Sequence, residues 1–387
     1  MPGPRHRLLL IVNRLATIGG AEVQLTHLAK GLARAGHRVT LCCIDSSSLD
    51  PSVLADAGVE LVELHARRRR QRALAIGRLT SLARRAEIVQ CTMWDPSLWG
   101  RIAAILARRP VIVADHATDR AVQVSAGGAS RARWIALHNR LLDRFTYATV
   151  ACASSQRAVL EGEGVAAGKI VHIPNGVPVE ELRRAAAAGG GRAALGLPEA
   201  VPLVIQVGLF RPEKNQAGAL EALRATRERV PEARLVFVGD GVTRAEVEAR
   251  ATAIGAREWA LFLGLRSDVA ALMSVADLML LPSSSDAMPM TVLEAMALGV
   301  PVLATDVGDV REILGEGGVC VPVDEPEALA EECARLLASP ERLARLGEAG
   351  GKRSATFSAA TMVRRYEALF DAASAGTSPL AAVAAAG

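Results

Sequence analysis

LMLLPSSSDAMPMTVLEAMALGVPVLAT, residues 278–305, contains two short apolar runs separated by a polar loop and a helical stretch. Residues 278–282 and 300–305 read as buried strands, and residues 289–298 read as the helix between them. Pro289 suits a first helical turn, where a missing N–H costs nothing, and Gly299 stops the helix. A strand, a helix and a second strand in so short a span form a crossover unit. Crossover units belong to parallel sheets covered by helices.

The pattern extends outward in both directions. Upstream in the second half, strands are expected at 204–208, 234–239 and 260–264, and downstream at 318–321. Helices are expected between them, and a closing helix at about 359–373. The first half repeats the alternation, with strands near 8–12, 37–44, 59–64, 87–90, 110–114, 149–152 and 170–173. The stretch RRAAAAGGGRAALGLPEA, residues 183–200, reads as the linker or its flank, and the Ala-rich tail from Ser374 as disordered. The expected organisation is two doubly wound α/β domains, residues 1–180 and 181–373, with a tail of 374–387. The last helix is allowed to pack back on the first domain.

Composition excludes several classes. Of 387 residues, 50% are hydrophobic and 22% charged, enough for full cores and against disorder. Aromatics make up 3%, and the net charge is +4, which argues against nucleic acid as a partner. The six cysteines form neither a CxxC pair nor a zinc spacing, so reduced thiols in the cytosol are expected. No apolar stretch approaches the ~20 residues of a membrane span. The total charge conceals a division. Residues 1–180 hold 24 Lys+Arg against 14 Asp+Glu, and the remainder holds 21 against 27.

In doubly wound sheets ligands bind beyond the carboxyl ends of the strands. The loops there carry the unusual residues. Asp286 lies in the loop of the opening stretch, and the free N–H groups of Ala287, Met288 and Met290, on either side of Pro289, make an anion site. Glu294 follows about 7.5 Å along the helix axis and could accept from hydroxyls of a ligand whose phosphates sit at the helix start. Asp286 could accept from a hydroxyl beyond those phosphates. Phosphates flanked by two polyols describe a nucleotide sugar; the alternative is a capping Asp and an exposed helical Glu. VGLFRPEKN, residues 207–215, places Arg211 and Lys214 to meet a diphosphate, or forms a solvated turn. LATIGGAE, residues 15–22, allows close backbone approach at Gly19 and Gly20, or forms a plain turn. It is not a dinucleotide fingerprint. His116, in VIVADHATD (111–119), follows a strand and is either a hydroxyl contact or a satisfied loop residue.

Together these motifs resemble the family-4 glycosyltransferases of the GT-B fold, over nearly the whole chain. In the first half the resemblance rests on GGAE (19–22), AGHRV (35–39), ADH (114–116) and IPNGV (173–177). In the second it rests on the VG…PEKN loop, GDG (239–241), LGLRSDV (263–269) and SDAMPMTVLEAMALGVPVLATDVGDVREIL. The last segment corresponds to the family's E-x7-E motif.

The resemblance implies two Rossmann-like domains facing across a cleft, with the donor on the second and the acceptor on the first. It also implies transfer with retention, without a metal ion or other cofactor. By position, Glu294 would bind ribose hydroxyls, and Asp286 and the amides of 287–290 the donor sugar and diphosphate. Lys214 would neutralise the diphosphate, His116 would contact the donor sugar, and Gly20 would lie near the reacting centre. Backbone near Leu265 and Arg266 would hold the base. A leaving phosphate oxygen would take the acceptor's proton.

The chain departs from the pattern at five places. Asp286 replaces the first glutamate and is roughly 1.5 Å shorter. Ala287 and Asp309 stand where glycines are usual, and Leu209 where Arg is frequent, with Arg211 a possible replacement. CTMWD (91–95) replaces a histidine-containing motif on the acceptor side and brings in Trp94.

Arg67, Arg68, Arg69, Arg70 and Arg72 cluster just before a helix that carries Arg78, Arg84 and Arg85. Such a run is a solvated loop or an attraction to anionic lipid, worth about 1 kcal/mol per basic residue. The expected activity is therefore transfer of a hexose-type sugar from a UDP- or GDP-sugar to a lipid-linked, saccharide or small-molecule acceptor. The expected place is the cytoplasm, with peripheral attachment to the inner face of the membrane. An epimerase or phosphorylase of the same fold, and a binding module without turnover, remain the alternatives.

Overall fold

A computed structural model describes residues 5–15, 19–116 and 128–386. The chain divides into two compact units, Met1–Gly176 with Ala359–Gly387, and Val177–Ser358.

The first unit is built on a seven-stranded sheet in the order β3-β2-β1-β4-β5-β6-β7. Its strands are β1 (Arg7–Val12), β2 (Arg38–Cys43), β3 (Val59–Glu63), β4 (Ile88–Thr92), β5 (Val111–Asp115), β6 (Thr146–Ala151) and β7 (Ile170–His172). The second unit has six strands in the order β10-β9-β8-β11-β12-β13. These are β8 (Leu203–Val207), β9 (Arg234–Val238), β10 (Ala260–Phe262), β11 (Leu278–Leu281), β12 (Val302–Thr305) and β13 (Gly318–Val321). Every described pairing is parallel. Parallel strands are covered on both faces, which is why they read as continuous apolar runs. In both sheets the strand order reverses at the first strand, between β1 and β4 and between β8 and β11. Such switch points open the crevice in which ligands of this fold class bind.

Three sequence expectations are corrected. Residues 183–200, read as the linker or its flank, lie inside the second unit just past its start at Val177: their first third belongs to the helix Val179–Ala188, tied in by Arg183 Nε donating to Ala297 O at 3.0 Å. Ala runs are strong helix formers, and composition alone hid this one behind the glycines that follow. The tail is not disordered. The last long helix runs over Ala359–Ala375, and Pro379–Ala385 forms another whose Val383 is buried. Pro289 caps its helix from outside, with an extended backbone, and the helix begins at Met290.

The Ala359–Ala375 helix completes the first unit. Met362, Tyr366, Leu369 and Phe370 are buried in the same core as β1 and the Gly20–Arg34 helix. Polar contacts fix its rotation. His37 Nδ1 accepts the His6 backbone N–H at 3.1 Å, which leaves His37 Nε2 to donate to Glu367 at 3.1 Å. His6 Nε2 meets Asp371 at 2.7 Å. The inserted second unit begins and ends at one place, where Val177 and Ser358 form a parallel bridge and Val177 N–H donates to Phe357 O at 2.9 Å.

Candidate donor site and its relatives

The loops leaving β8 and β11 lie side by side because the switch point makes these strands neighbours. Three contacts tie them together. Ser284 N–H donates to Glu213 O at 2.9 Å. Asn215 Nδ2 donates to Pro282 O at 3.2 Å, while its Oδ1 accepts from Gly218 N–H and so caps the Gln216–Thr226 helix. The Lys214 ammonium forms an ion pair with the Asp286 carboxylate. The side chains of this pair are 25% and 7% exposed, so the pair sits at the floor of the loops with the cation reaching outward.

Gln206, a polar residue inside the apolar β8 run, donates its Nε2–H to Lys214 O at 2.9 Å. The Thr305 hydroxyl at the end of β12 lies between two carbonyls, Leu281 O at 3.2 Å and Ser283 O at 2.5 Å, and shares its one proton between them. Sequence reasoning missed both tethers. The one available signal was a polar residue at the carboxyl end of a buried strand.

Two glycines are dictated by space. At Gly308, with φ +53°, a Cβ would lie 2.1 Å from Asp286 O and 2.5 Å from Ala287 O. At Gly239, with φ +141°, it would lie 1.9 Å from Gly208 O. Asp309 N–H donates to Ala287 O at 3.0 Å, which holds the buried Ala287–Met290 segment against the turn after β12.

Glu294 lies in the second turn of the Met290–Ala297 helix and is half-buried. Its carboxyl makes no hydrogen bond or ion pair among the described residues, and burial pushes it up to about 7. A half-buried carboxyl in a loop-lined site without a partner is set to accept from a ligand. Hydroxyl donors favour the ionised form, so binding should release a proton. Donor-nucleotide affinity is expected to weaken by up to about tenfold per unit as the pH falls below 7. Calorimetric titration across pH is the measurement, and Glu294→Gln should flatten the profile. The same burial costs the empty protein stability as the pH rises from 4.5 through about 7.

The remaining expected donor residues are placed less centrally. Arg266 is exposed, and its guanidinium is engaged by Asp268 at 2.7 and 2.5 Å, leaving the backbone of 265–266 as the available group. Arg211 is exposed, with Glu213 at 3.9 Å.

In the first unit, Gly19 caps the Gly20–Arg34 helix at φ +143°, where a Cβ would strike the Glu22 carboxylate at 2.3 Å. Residues 16–18 and 117–119 of the two expected motifs lie outside the described residues. His116 follows β5. Its Nδ1 is buried without a hydrogen-bond partner among the described residues, and burial lowers it to about 4, so it is neutral at working pH. Trp94 opens the helix Trp94–Ala107, and its side chain lies outside the described residues.

The arginine cluster is not one patch. The helix Arg69–Arg85 starts inside it, with Gln71 Oε1 accepting the Arg68 N–H at 2.8 Å. Arg72 is 11% exposed and turned inward, paired with Asp95 and donating to Asn13 Oδ1 at 2.8 Å and Ala66 O at 3.0 Å. Arg67 faces Asp45 at 3.4 Å. This leaves Arg68, Arg69 and Arg70 exposed with no ion pair among the described residues.

Residues 191–353 match the glycosyl transferases of group 1, and residues 18–181 match glycosyltransferase family 4. The chain belongs to the group 1, family 4 glycosyltransferases. The phosphatidyl-myo-inositol mannosyltransferase of Mycobacterium leprae is 30% identical over 278 residues, covering 70% of this chain and 66% of that protein. The D-inositol 3-phosphate glycosyltransferase of Segniliparus rotundus is 32% identical over 198 residues, 49% of this chain and 44% of that protein. The chain spans less than half the length of the first curated relatives it matches, 42 to 46%. The crystal structure of Anabaena HepE in complex with UDP-glucose superposes with a TM-score of 0.80 at 20% identity, covering 94% of this chain and 98% of that one. The two Rossmann-like parallel-sheet units are those of the GT-B fold.

Proposed function

We propose that this glycosyltransferase moves a hexose-type sugar from a UDP- or GDP-sugar to a lipid-linked, saccharide or small-molecule acceptor, with retention and without a metal ion. The observation that carries the reading is the Lys214–Asp286 pair at the β8/β11 switch point, in the loops that precede the unpartnered Glu294 on its helix. That HepE was crystallised with UDP-glucose supports a nucleotide-sugar donor. In this reading Glu294 takes the ribose hydroxyls, and Asp286 with the backbone N–H groups of Ala287, Met288 and Met290 takes the sugar and diphosphate. Lys214 stabilises charge that develops on the leaving group. The C1–O bond to phosphate breaks, the acceptor oxygen bonds C1 on the same face, and a leaving phosphate oxygen receives the acceptor's proton. His116, Gly19, Gly20 and Trp94 belong to the acceptor side, with neutral His116 offering a hydrogen bond to the donor sugar.

The M. leprae relative's name supports a lipid acceptor, and the basic first half supports attachment to an anionic membrane on the cytoplasmic side. Among the described residues no helix is long and apolar enough to cross a membrane.

The test is release of UDP or GDP across a panel of nucleotide sugars, with the product anomer read by NMR. One donor should be consumed with retention, at a rate indifferent to chelator. Nucleotide binding without release from any donor would return the chain to a binding module, a reading that Leu209 in place of the family's frequent Arg favours.

A further inference from the structure

Glu294 is the one charged residue of the Met290–Ala297 helix, whose Met290, Val292, Leu293, Ala295, Met296 and Ala297 are buried. Apolar contact is non-directional. It holds the helix in the core without fixing its rotation, which needs hydrogen bonds and close backbone contact. The last four carbonyls of a helix lack intrahelical partners, and here each has found one. Leu298 N–H donates to Glu294 O and Ala295 O, both at 3.1 Å, Val300 N–H to Ala295 O at 2.9 Å and Gly299 N–H to Met296 O at 3.0 Å. Ala297 O accepts from a side chain instead, Arg183 Nε at 3.0 Å. Arg183 is half-exposed, with Glu180 Oε1 at 3.5 Å, and belongs to the Val179–Ala188 helix, which packs against the Glu294 helix. A third helix, Pro340–Arg353, meets the same tail by backbone: a Cβ on Gly347 would lie 2.2 Å from Gly299 O. Gly347 thus sets how near that helix comes, and Arg183 supplies the directional contact. Ala297 lies three residues, just under one turn, beyond Glu294, so rotation at the tail is carried to the carboxyl. The helix of Arg183 begins two residues after Val177, whose N–H is fixed on Phe357 O at 2.9 Å. The Glu294 helix is therefore tied to the anchored start of the second unit.

We propose that Arg183 is a positioning residue for the donor site: its bond to Ala297 O sets the rotation of the Met290–Ala297 helix and so keeps the Glu294 carboxyl where a ligand's hydroxyls would meet it. The inference rests on the reading of Glu294 as the ribose contact and adds a residue outside the loops that would hold the ligand. The charge of the guanidinium and its hold on the helix predict opposite signs at Glu294. A cation favours the carboxylate, so loss of charge alone would raise the Glu294 titration midpoint. Loss of the hold lets the carboxyl turn toward water, which lowers the midpoint from about 7 toward the usual 4.5.

The test follows the Glu294 carboxyl by carbon-13 NMR titration of the full chain without ligand, for wild type, Arg183→Ala and Arg183→Lys, with Glu294→Gln to assign the signal. UDP and GDP affinities and thermal midpoints are measured beside it. Arg183→Ala should lower the Glu294 midpoint by about one unit and weaken nucleotide binding by up to about tenfold. Arg183→Lys, which keeps a donor in reach of Ala297 O, should recover most of both. In a Glu294→Gln background the effect of Arg183→Ala on affinity should vanish, since residues that act through one another are not additive. Should Arg183→Ala fail to fold, Arg183→Met, which keeps the apolar stem, is read in its place. A Glu294 midpoint that holds or rises, with or without a lower thermal midpoint, would overturn the proposal, as would an affinity loss that persists undiminished without Glu294. If the Glu294 midpoint falls as expected while neither Arg183→Ala nor Glu294→Gln changes UDP or GDP affinity, the positioning stands and the ribose reading fails.

Discussion

Lys214→Ala is expected to lower nucleoside-diphosphate release by about two to three orders of magnitude, the usual cost of removing a group aimed at developing charge. Lys214 is held at both ends in the structure, by its side chain and by its backbone. Its ammonium pairs with Asp286, and its backbone carbonyl accepts from Gln206 Nε2 at 2.9 Å, so the side chain leaves the loop in one direction. Alanine removes the cation and leaves a buried carboxylate unpaired, which adds a penalty in the empty protein. Lys214→Arg should recover little, because a planar fork does not occupy the space of a compact ammonium. Single-turnover measurements separate the two effects: the chemical step should fall far more than nucleotide affinity. A variant with normal turnover would remove Lys214 from the mechanism.

Gly308→Ala is expected to abolish donor binding while leaving the first unit intact. The residue holds φ +53°, and its new Cβ would meet two consecutive backbone carbonyls, Asp286 O and Ala287 O, at 2.1 and 2.5 Å. Backbone oxygens cannot swing aside as a flexible side chain can. The segment expected to hold sugar and diphosphate must therefore move, and with it the Asp309 N–H···Ala287 O bond. Strain of this kind costs on the order of 1–3 kcal/mol before any lost contact is counted. Calorimetry with UDP and GDP, beside circular dichroism to show retained fold, reads the effect. Wild-type affinity in the alanine variant would show that the 286–288 segment is not part of the donor site.

The strands were legible because a parallel sheet, buried on both faces, writes each strand as an unbroken apolar run. The candidate donor loops were legible because carboxyl-end loops are where such sheets place polar residues. What escaped was contact that depends on three-dimensional neighbours. Gln206 reads in sequence as an interruption of β8, and only the adjacent loop shows that it holds Lys214 O. Nothing in the sequence pairs His6 with His37, although they stack with ring centroids 5.6 Å apart and pin the last long helix through Asp371 and Glu367. Arg72 read as one more surface charge, because a run of arginines does not reveal that the helix starts within it and turns one member inward to Asp95. The C-terminal alanines suit either a free tail or a helix. Burial of Val383, together with Tyr147 donating to Thr377 O at 2.7 Å, decides for the helix.

The second unit is an insertion whose ends meet at Val177 and Ser358, and the first unit's core needs Met362, Tyr366 and Phe370 from beyond that insertion. During synthesis all thirteen strands leave the ribosome before the helix that seals the first sheet. The second unit can close its core while still tethered, whereas the half translated first waits with an apolar face uncovered until residues 359–375 have been made. Any lesion that removes the Ala359–Ala375 helix, whether a frameshift, a nonsense codon or proteolytic cleavage, therefore falls on the unit translated first.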